Sequence, residues 1–266
     1  MKLVGSKKAV RTPQFHRQKI QAKLWRYLGL LLGLAILIVA PVIALRSENL
    51  QITDVEISGN KATESTELEQ IVRKNLSGYY LKYIPRSSTF LYPKQAIKAE
   101  MAYAYPRLAN IKISLTGLHG IHIAVVEREP YALYCSTHCF FIDETGYIFA
   151  EAANFSDGVY VVYKSEPADA DPLGTQFMKP DDFGLLNKFM RVLPSLNLTP
   201  ETLIKKAGEY TLIVQGNTEV RWRADHDLEA IESDLASFLK TSKLDAVAIR
   251  ALSYIDLRFD NKVFYK

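Results

Sequence analysis

The segment YLGLLLGLAILIVAPVIAL, Tyr27 to Leu45, runs for 19 residues without a charge. As a helix it reaches about 28 Å, close to the hydrocarbon thickness of a bilayer. Trp25 and Tyr27 stand where an interfacial aromatic belt is expected. Pro41 falls near the far end, where a membrane helix tolerates it. The run therefore predicts a transmembrane helix over residues 27–46. Two other readings compete. One is a cleaved signal peptide with Val42-Ile43-Ala44 near its cleavage point, although the basic region is long and the apolar run outlasts a signal core. The other is a buried helix of a soluble domain.

Charge orients this segment. Residues 1–26 hold eight Lys or Arg and no Asp or Glu. Setting those eight aside leaves 25 basic against 29 acidic residues, so the net charge of +4 comes from a local tail. A nucleic-acid binder carries its positive charge on a folded face, so no nucleic-acid partner is expected. The positive-inside rule puts a basic tail, 1–26, in the cytoplasm and everything after Arg46 outside.

Beyond the link at 47–51 the chain reads as α+β. ITDVEISGN (Ile52 to Asn60) alternates and meets a Gly-Asn turn. ESTELEQIVRKNL places Leu68, Ile71, Val72 and Leu76 at helical spacing, with Thr66 and Glu69 at a capping-box interval. Residues 77–93 are irregular and aromatic; Tyr79, Tyr80, Tyr83, Phe90 and Tyr92 read as a lid over a small core, with contact to a partner as the other reading. A second helix follows Pro93, with Ala96, Ile97, Met101 and Ala104 as its stripe. Two strands come next, with Ile111, Ile113 and Leu115, then Ile121, Ile123 and Val125, facing inward. The order is βααββ over 51–128. Residues 129–266 form a second domain of short strands interrupted by two helices, PDDFGLLNKFMRVLPS and DHDLEAIESDLASFLKTS. Arg128, before Pro130, reads as the junction between them or as a solvated Arg at a strand end.

Catalytic motifs are missing from this sequence. The five His residues show no helical metal pairing, and no nucleophile elbow, phosphate-binding loop or zinc-protease motif occurs. Asp143 and Glu144 in FIDETGY read as a hairpin turn rather than a glycosidase pair. No enzyme activity, cofactor, metal or small-molecule substrate is expected. Cys135 and Cys139 flank a three-residue turn, YCSTHCF. They are open to a hairpin disulfide, to two reduced buried thiols, or, with His138, to a metal. The sequons at Asn75, Asn154 and Asn197 carry no expectation of use.

The whole arrangement resembles the FtsQ/DivIB family of bacterial cell-division proteins. The resemblance rests on the basic tail, the single anchor and Val55-Glu56-Ile57-Ser58-Gly59 in the opening strand. It continues through Ile84-Pro85-Arg86, VVEREPYAL (Val125 to Leu133), FIDETGYIF (Phe141 to Phe149) and the closing YIDLRFDNKVFYK. It implies a POTRA domain over 51–128 and a β domain over 129–266 that docks FtsB/DivIC-like and FtsL-like partners at the septum. In the last stretch, Ser253, Ile255, Leu257 and Phe259 alternate with Tyr254, Asp256 and Arg258, and Asp260-Asn261 supply a turn. Strand addition along this edge would use Tyr254, Asp256, Arg258, Phe259, Asn261 and Tyr265 as partner contacts. The alternatives are an exported enzyme acting on peptidoglycan, which needs an acid/base or metal constellation, and an outer-membrane assembly or secretion component, which needs a barrel.

Overall fold

In the computed structural model the described residues are 13–153, 159–168, 170–260 and 262–266, with side chains described from residue 23 onward. The basic segment before Pro13, the sequon residue Asn154 and the turn residue Asn261 lie outside them.

The protein is a mixed α/β structure with one amino-terminal apolar helix and a large sheet. Helix α1 (Pro13–Leu45) contains Pro41 in its last turns. No residue of its apolar window, Lys23–Leu45, is buried by the rest of the chain. A helix that is hydrophobic all round must be buried somewhere, so the reading as a core helix of a soluble domain is excluded. Length and composition fit either a membrane span or a signal sequence.

Next come β1 (Asp54–Ser58), α2 (Ser65–Leu76), β2 (Tyr79–Tyr80), β3 (Ile84–Pro85), α3 (Lys94–Ala104), β4 (Leu108–Thr116) and β5 (Gly120–Glu127). A three-stranded sheet has the order β1-β5-β4, and β2 pairs with β3. Chain packing defines two compact units. The first takes the described residues up to Ile57 with Thr66–Ile97 and Ile113–Ile123. The second takes Ser58–Ser65, Lys98–Lys112 and Ala124–Lys266.

In the first unit, α2 buries Leu68, Val72 and Leu76, one residue per turn. Its outer face carries a Glu69–Arg73 ion pair at 2.6 Å, the favourable i,i+4 order. The helix starts at Ser65, so Thr66 lies inside the first turn and not at the cap. Ile52, Ile97, Ile113, Ile121 and Ile123 are also buried. Three expectations fail. Leu115 is exposed, and the stripe of α3 reduces to Ile97 and Met101, because Ala96 and Ala104 face solvent. Tyr79, Tyr83 and Phe90 do not form a lid: they are exposed, Tyr80 and Tyr92 are half-buried, and Pro85, Ser88 and Thr89 are the buried residues of that stretch.

The second unit adds β6 (Ala132–Cys135), β7 (Cys139–Ile142), β8 (Ile148–Glu151), β9 (Val162–Glu166), α4 (Pro180–Val192), β10 (Pro200–Lys206), β11 (Glu209–Val214), β12 (Glu219–Arg223), α5 (Leu228–Ser242), α6 (Ala246–Arg250), β13 (Tyr254–Phe259) and β14 (Lys262–Tyr265). They build a nine-stranded sheet in the order β14-β13-β12-β11-β10-β9-β6-β7-β8. The pairings β9–β10, β6–β9 and β12–β13 are parallel and the others antiparallel. Phe183, Leu186, Phe189 and Met190 of α4 join Ile231, Leu235 and Leu239 of α5 in one core with Tyr134, Tyr163, Leu212, Trp222 and Ile255. Helix α5 starts where Asp227 caps it, accepting from the Glu229 N–H at 3.1 Å. Strand β10 is not legible in the sequence: PETLIKK opens on Pro and holds only two large apolar residues, and pairing on both sides overrides that weak signal.

Arg128 lies within the second unit as a partly buried node. It pairs with Asp143, stacks 4.1 Å over the Tyr147 ring and donates to the Pro106 carbonyl at 3.2 Å. Asp143 itself builds the β7–β8 turn. Its Oδ1 accepts from the Thr145 N–H at 2.8 Å and from the Tyr147 N–H at 3.0 Å. Burial pushes this carboxyl up, but the Thr145, Tyr147 and Arg128 hydrogen bonds outweigh it and hold it below the ordinary value. Glu144 points outward to Arg191 at 3.2 Å, so the two carboxylates do not share a site.

Candidate functional site

An open sheet edge is the site the fold offers. The nine-stranded sheet has two edges, and they differ. At β8, the 174–177 segment bonds to the start of the strand: the Ile148 N–H donates to Thr175 (2.9 Å) and the Gly174 N–H to Ile148 (2.8 Å). At β14 no strand of the described residues lies beyond.

The ladder fixes which backbone groups face outward. The Lys266 N–H donates to Tyr254 at 3.2 Å, and the Tyr254 N–H to Lys266 at 3.4 Å. Hydrogen-bonded and non-bonded pairs alternate in an antiparallel ladder. Ile255 opposite Tyr265 is then a non-bonded pair. The N–H and C=O of Tyr265 therefore point away from β13, and those of Val263, two residues earlier, point the same way.

The strand is held firmly from within. Ile255 is fully buried, and the Tyr265 ring packs on Phe238 of α5 with centroids 4.9 Å apart. Phe259 and Phe264 meet edge to face at 5.2 Å, and both remain about half exposed, as does Tyr265. Between the Asp256–Phe264 and Phe259–Lys262 pairs the register slips, so Leu257 and Arg258 together oppose Val263.

That bulge corrects the expected outward row. Asp256 does not reach solvent; it is 5% exposed. Its carboxylate accepts from the Arg258 N–H (3.1 Å) and from the guanidinium at 2.9 and 2.6 Å. Arg258 reaches on to Glu209 at 2.9 Å. Arg221, opposite Asp256 on β12, pairs with Glu219 and stacks 5.2 Å over Tyr254. Arg258 foremost, and against burial, holds the Asp256 carboxyl below its ordinary range. Asp256, Arg258 and Tyr254 thus belong to a charged network across β11–β13, whereas Phe259 and Tyr265 flank the edge. Asn261 lies outside the described residues. Sequence reasoning missed Phe264 and the outward backbone of Val263, which alternation in NKVFY could have indicated.

Cys135 and Cys139 are joined as a disulfide, directly opposed across the β6–β7 hairpin with Cα atoms 4.1 Å apart. Glu127 sits in a nest of backbone donors: the N–H groups of Lys61, Ala62 and Thr63 reach it at 3.0, 3.0 and 2.9 Å. Burial opposes the charge there, yet these bonds win and lower its pKa. Among the described residues no cluster of three His, Cys, Asp or Glu side chains could hold a metal. The chain matches no protein-family model and no curated protein.

Proposed function

We propose that this chain is a membrane-anchored scaffold of the FtsQ/DivIB kind. A POTRA-like βααββ region would stand outside the membrane, and a β domain would take an FtsB/DivIC-like or FtsL-like partner as an added strand on β14. In this reading α1 is retained in the cytoplasmic membrane, its amino end is inside, and the protein acts at the division septum. One observation carries the docking step. The β14 edge presents the outward N–H and C=O groups of Val263 and Tyr265 beside the half-exposed rings of Phe259, Phe264 and Tyr265. Such edges aggregate unless something protects or uses them. Strand addition gives affinity through the main chain and register through alternating side chains. The mechanism needs no chemistry beyond hydrogen bonding.

The test is capture of an FtsB/DivIC-like coiled-coil partner by full-length chain and by Val263→Pro. Proline removes one outward N–H from an edge strand, where the ladder to β13 does not use it. Loss of capture with an unchanged thermal transition supports strand addition on β14. Equal capture by both proteins overturns it.

A further inference from the structure

The first unit carries an apolar ledge beside the end of α1. Its tip is the turn Tyr80-Leu81-Lys82-Tyr83, closed by the Tyr83 N–H donating to the Tyr80 carbonyl at 3.0 Å. Leu81 and Lys82 both have positive φ, 47° and 66°. Tight turns of this kind ordinarily use Asn-Gly, because a residue with a Cβ costs about 1–2 kcal/mol in that conformation. Leucine is poorly suited to the position, yet Leu81 occupies it with 86% of its surface in water. Neither backbone preference nor burial within this chain accounts for it. Tyr79 and Tyr83 flank the turn and are exposed, and Phe90, Leu91 and Leu118, near Ser88 and Thr89 at the foot of the hairpin, are exposed as well.

The location of the ledge is fixed by backbone bonds. The Ile52 N–H donates to Ser87 at 2.7 Å, the Thr89 N–H to Leu50 at 3.0 Å, and Gln51 bridges Ser88. Leu50 follows Leu45, the last residue of α1, by five positions, which span at most about 18 Å. Strand β3 also neighbours α1 directly. Cations accompany the rings: Arg46 follows the helix, Lys82 shares the turn, and Arg86 lies 5.4 Å over the Tyr80 ring. Glu48 is the acidic residue of the same connection. Tyrosine with lysine and arginine around an apolar tip is the composition that settles at the headgroup level of a bilayer.

We propose that this ledge lies on the membrane that α1 crosses, with Leu81, Tyr83 and Phe90 seated in the headgroup layer and Lys82 and Arg86 facing lipid phosphates. The inference rests on the reading of α1 as a retained span. The occupant is lipid because main-chain bonds tie the loop that carries the patch to Leu50 and Ile52, five and seven residues beyond the end of α1, and β3 itself neighbours α1.

The test uses full-length protein in phosphatidylcholine–phosphatidylglycerol vesicles, spin-labelled one position at a time. Cys135 and Cys139 are bonded to each other, so an added cysteine is the one free thiol. Leu81→Cys and Phe90→Cys probe the ledge, Leu34→Cys probes the span, and Val247→Cys in α6 gives the aqueous reference. The ratio of oxygen to nickel-chelate accessibility should rise severalfold at 81 and 90 over 247, and rise further at 34. Aqueous values at 81 and 90 with a lipid value at 34 overturn the ledge and leave the anchor standing. An aqueous value at 34 overturns the anchor and the ledge with it. Shielding of 81 and 90 from both reagents, with spin–spin broadening, would mean that a second copy covers the patch, and this also overturns the proposal.

Discussion

Two residues show how local chemistry fixes this fold. Gly59 has φ of 86°, and a Cβ there would lie 2.1 Å from the Val125 carbonyl oxygen. The position needs glycine for its backbone angle and for the close approach of β5. Gly59→Ala should destabilise the protein by at least about 2 kcal/mol, read as a lowered denaturation midpoint in detergent. Asp256 offers a test with a pH signature. Its folded pKa is depressed, chiefly by Arg258. Its contribution is therefore complete above the ordinary carboxylate value of about 3.9 and disappears as pH falls through the lower folded value. Asp256→Asn should cost about 1–3 kcal/mol at neutral pH, and the gap to the parent should narrow below about pH 4. Denaturation followed at Trp222, buried in the same unit, reports it. A gap independent of pH would mean that the network holds by packing and not by charge. The sequence contained the glycine and the alternation of YIDLRF. It did not contain the 2.1 Å approach or the bulge, because both depend on a neighbouring strand.

At the scale of elements, strong periodicity was readable and weak periodicity was not. The apolar stripes of α2, α4 and α5 appear where spacing places them. The hairpins turning at Glu144-Thr145-Gly146 and Gln215-Gly216-Asn217 do also, since glycine with positive φ marks both. Strand β10 carries too few apolar residues to announce itself and is created by pairing on both sides, while α6, with five residues, is too short for a helical period to show. The edge itself was half legible. Alternation pointed to a final hairpin, but which strand lay outermost required the sheet order. That order gives the Val263→Pro prediction its force. Val263 opposes the bulge, and its N–H points outward; its side chain packs partly against the core of Ile255, Trp222 and Leu235, so the substitution should spare the ladder to β13 at a small cost in packing. A drop in thermal transition of several degrees would instead mean that β14 supports the sheet more than it serves a partner.

For the whole molecule, α1 poses the one problem the other elements do not solve. Every other apolar stripe is buried within its unit, but in the window Lys23–Leu45 no residue is buried, and Val42 and Leu45 near its end are half-covered. Leu30 and Leu37 leave about 70% of their surface uncovered. In water that surface would drive aggregation, whereas in a bilayer it is the favourable state. A span and a signal sequence differ in what happens afterwards. A span keeps its basic flank and resists extraction; a signal sequence is removed. Placing an arginine at the middle of a membrane helix costs about 3 kcal/mol on the insertion scale. Leu34→Arg with Leu37→Arg should therefore shift the protein from the alkali-resistant membrane fraction to the soluble or aggregated fraction. The parent should stay in the membrane with residues before Tyr27 still attached. A mature amino terminus near Leu45, found by sequencing the extracted parent, would identify a signal sequence instead. The scaffold proposal would then lose its anchor, while the β14 edge, built from residues far beyond α1, would remain available.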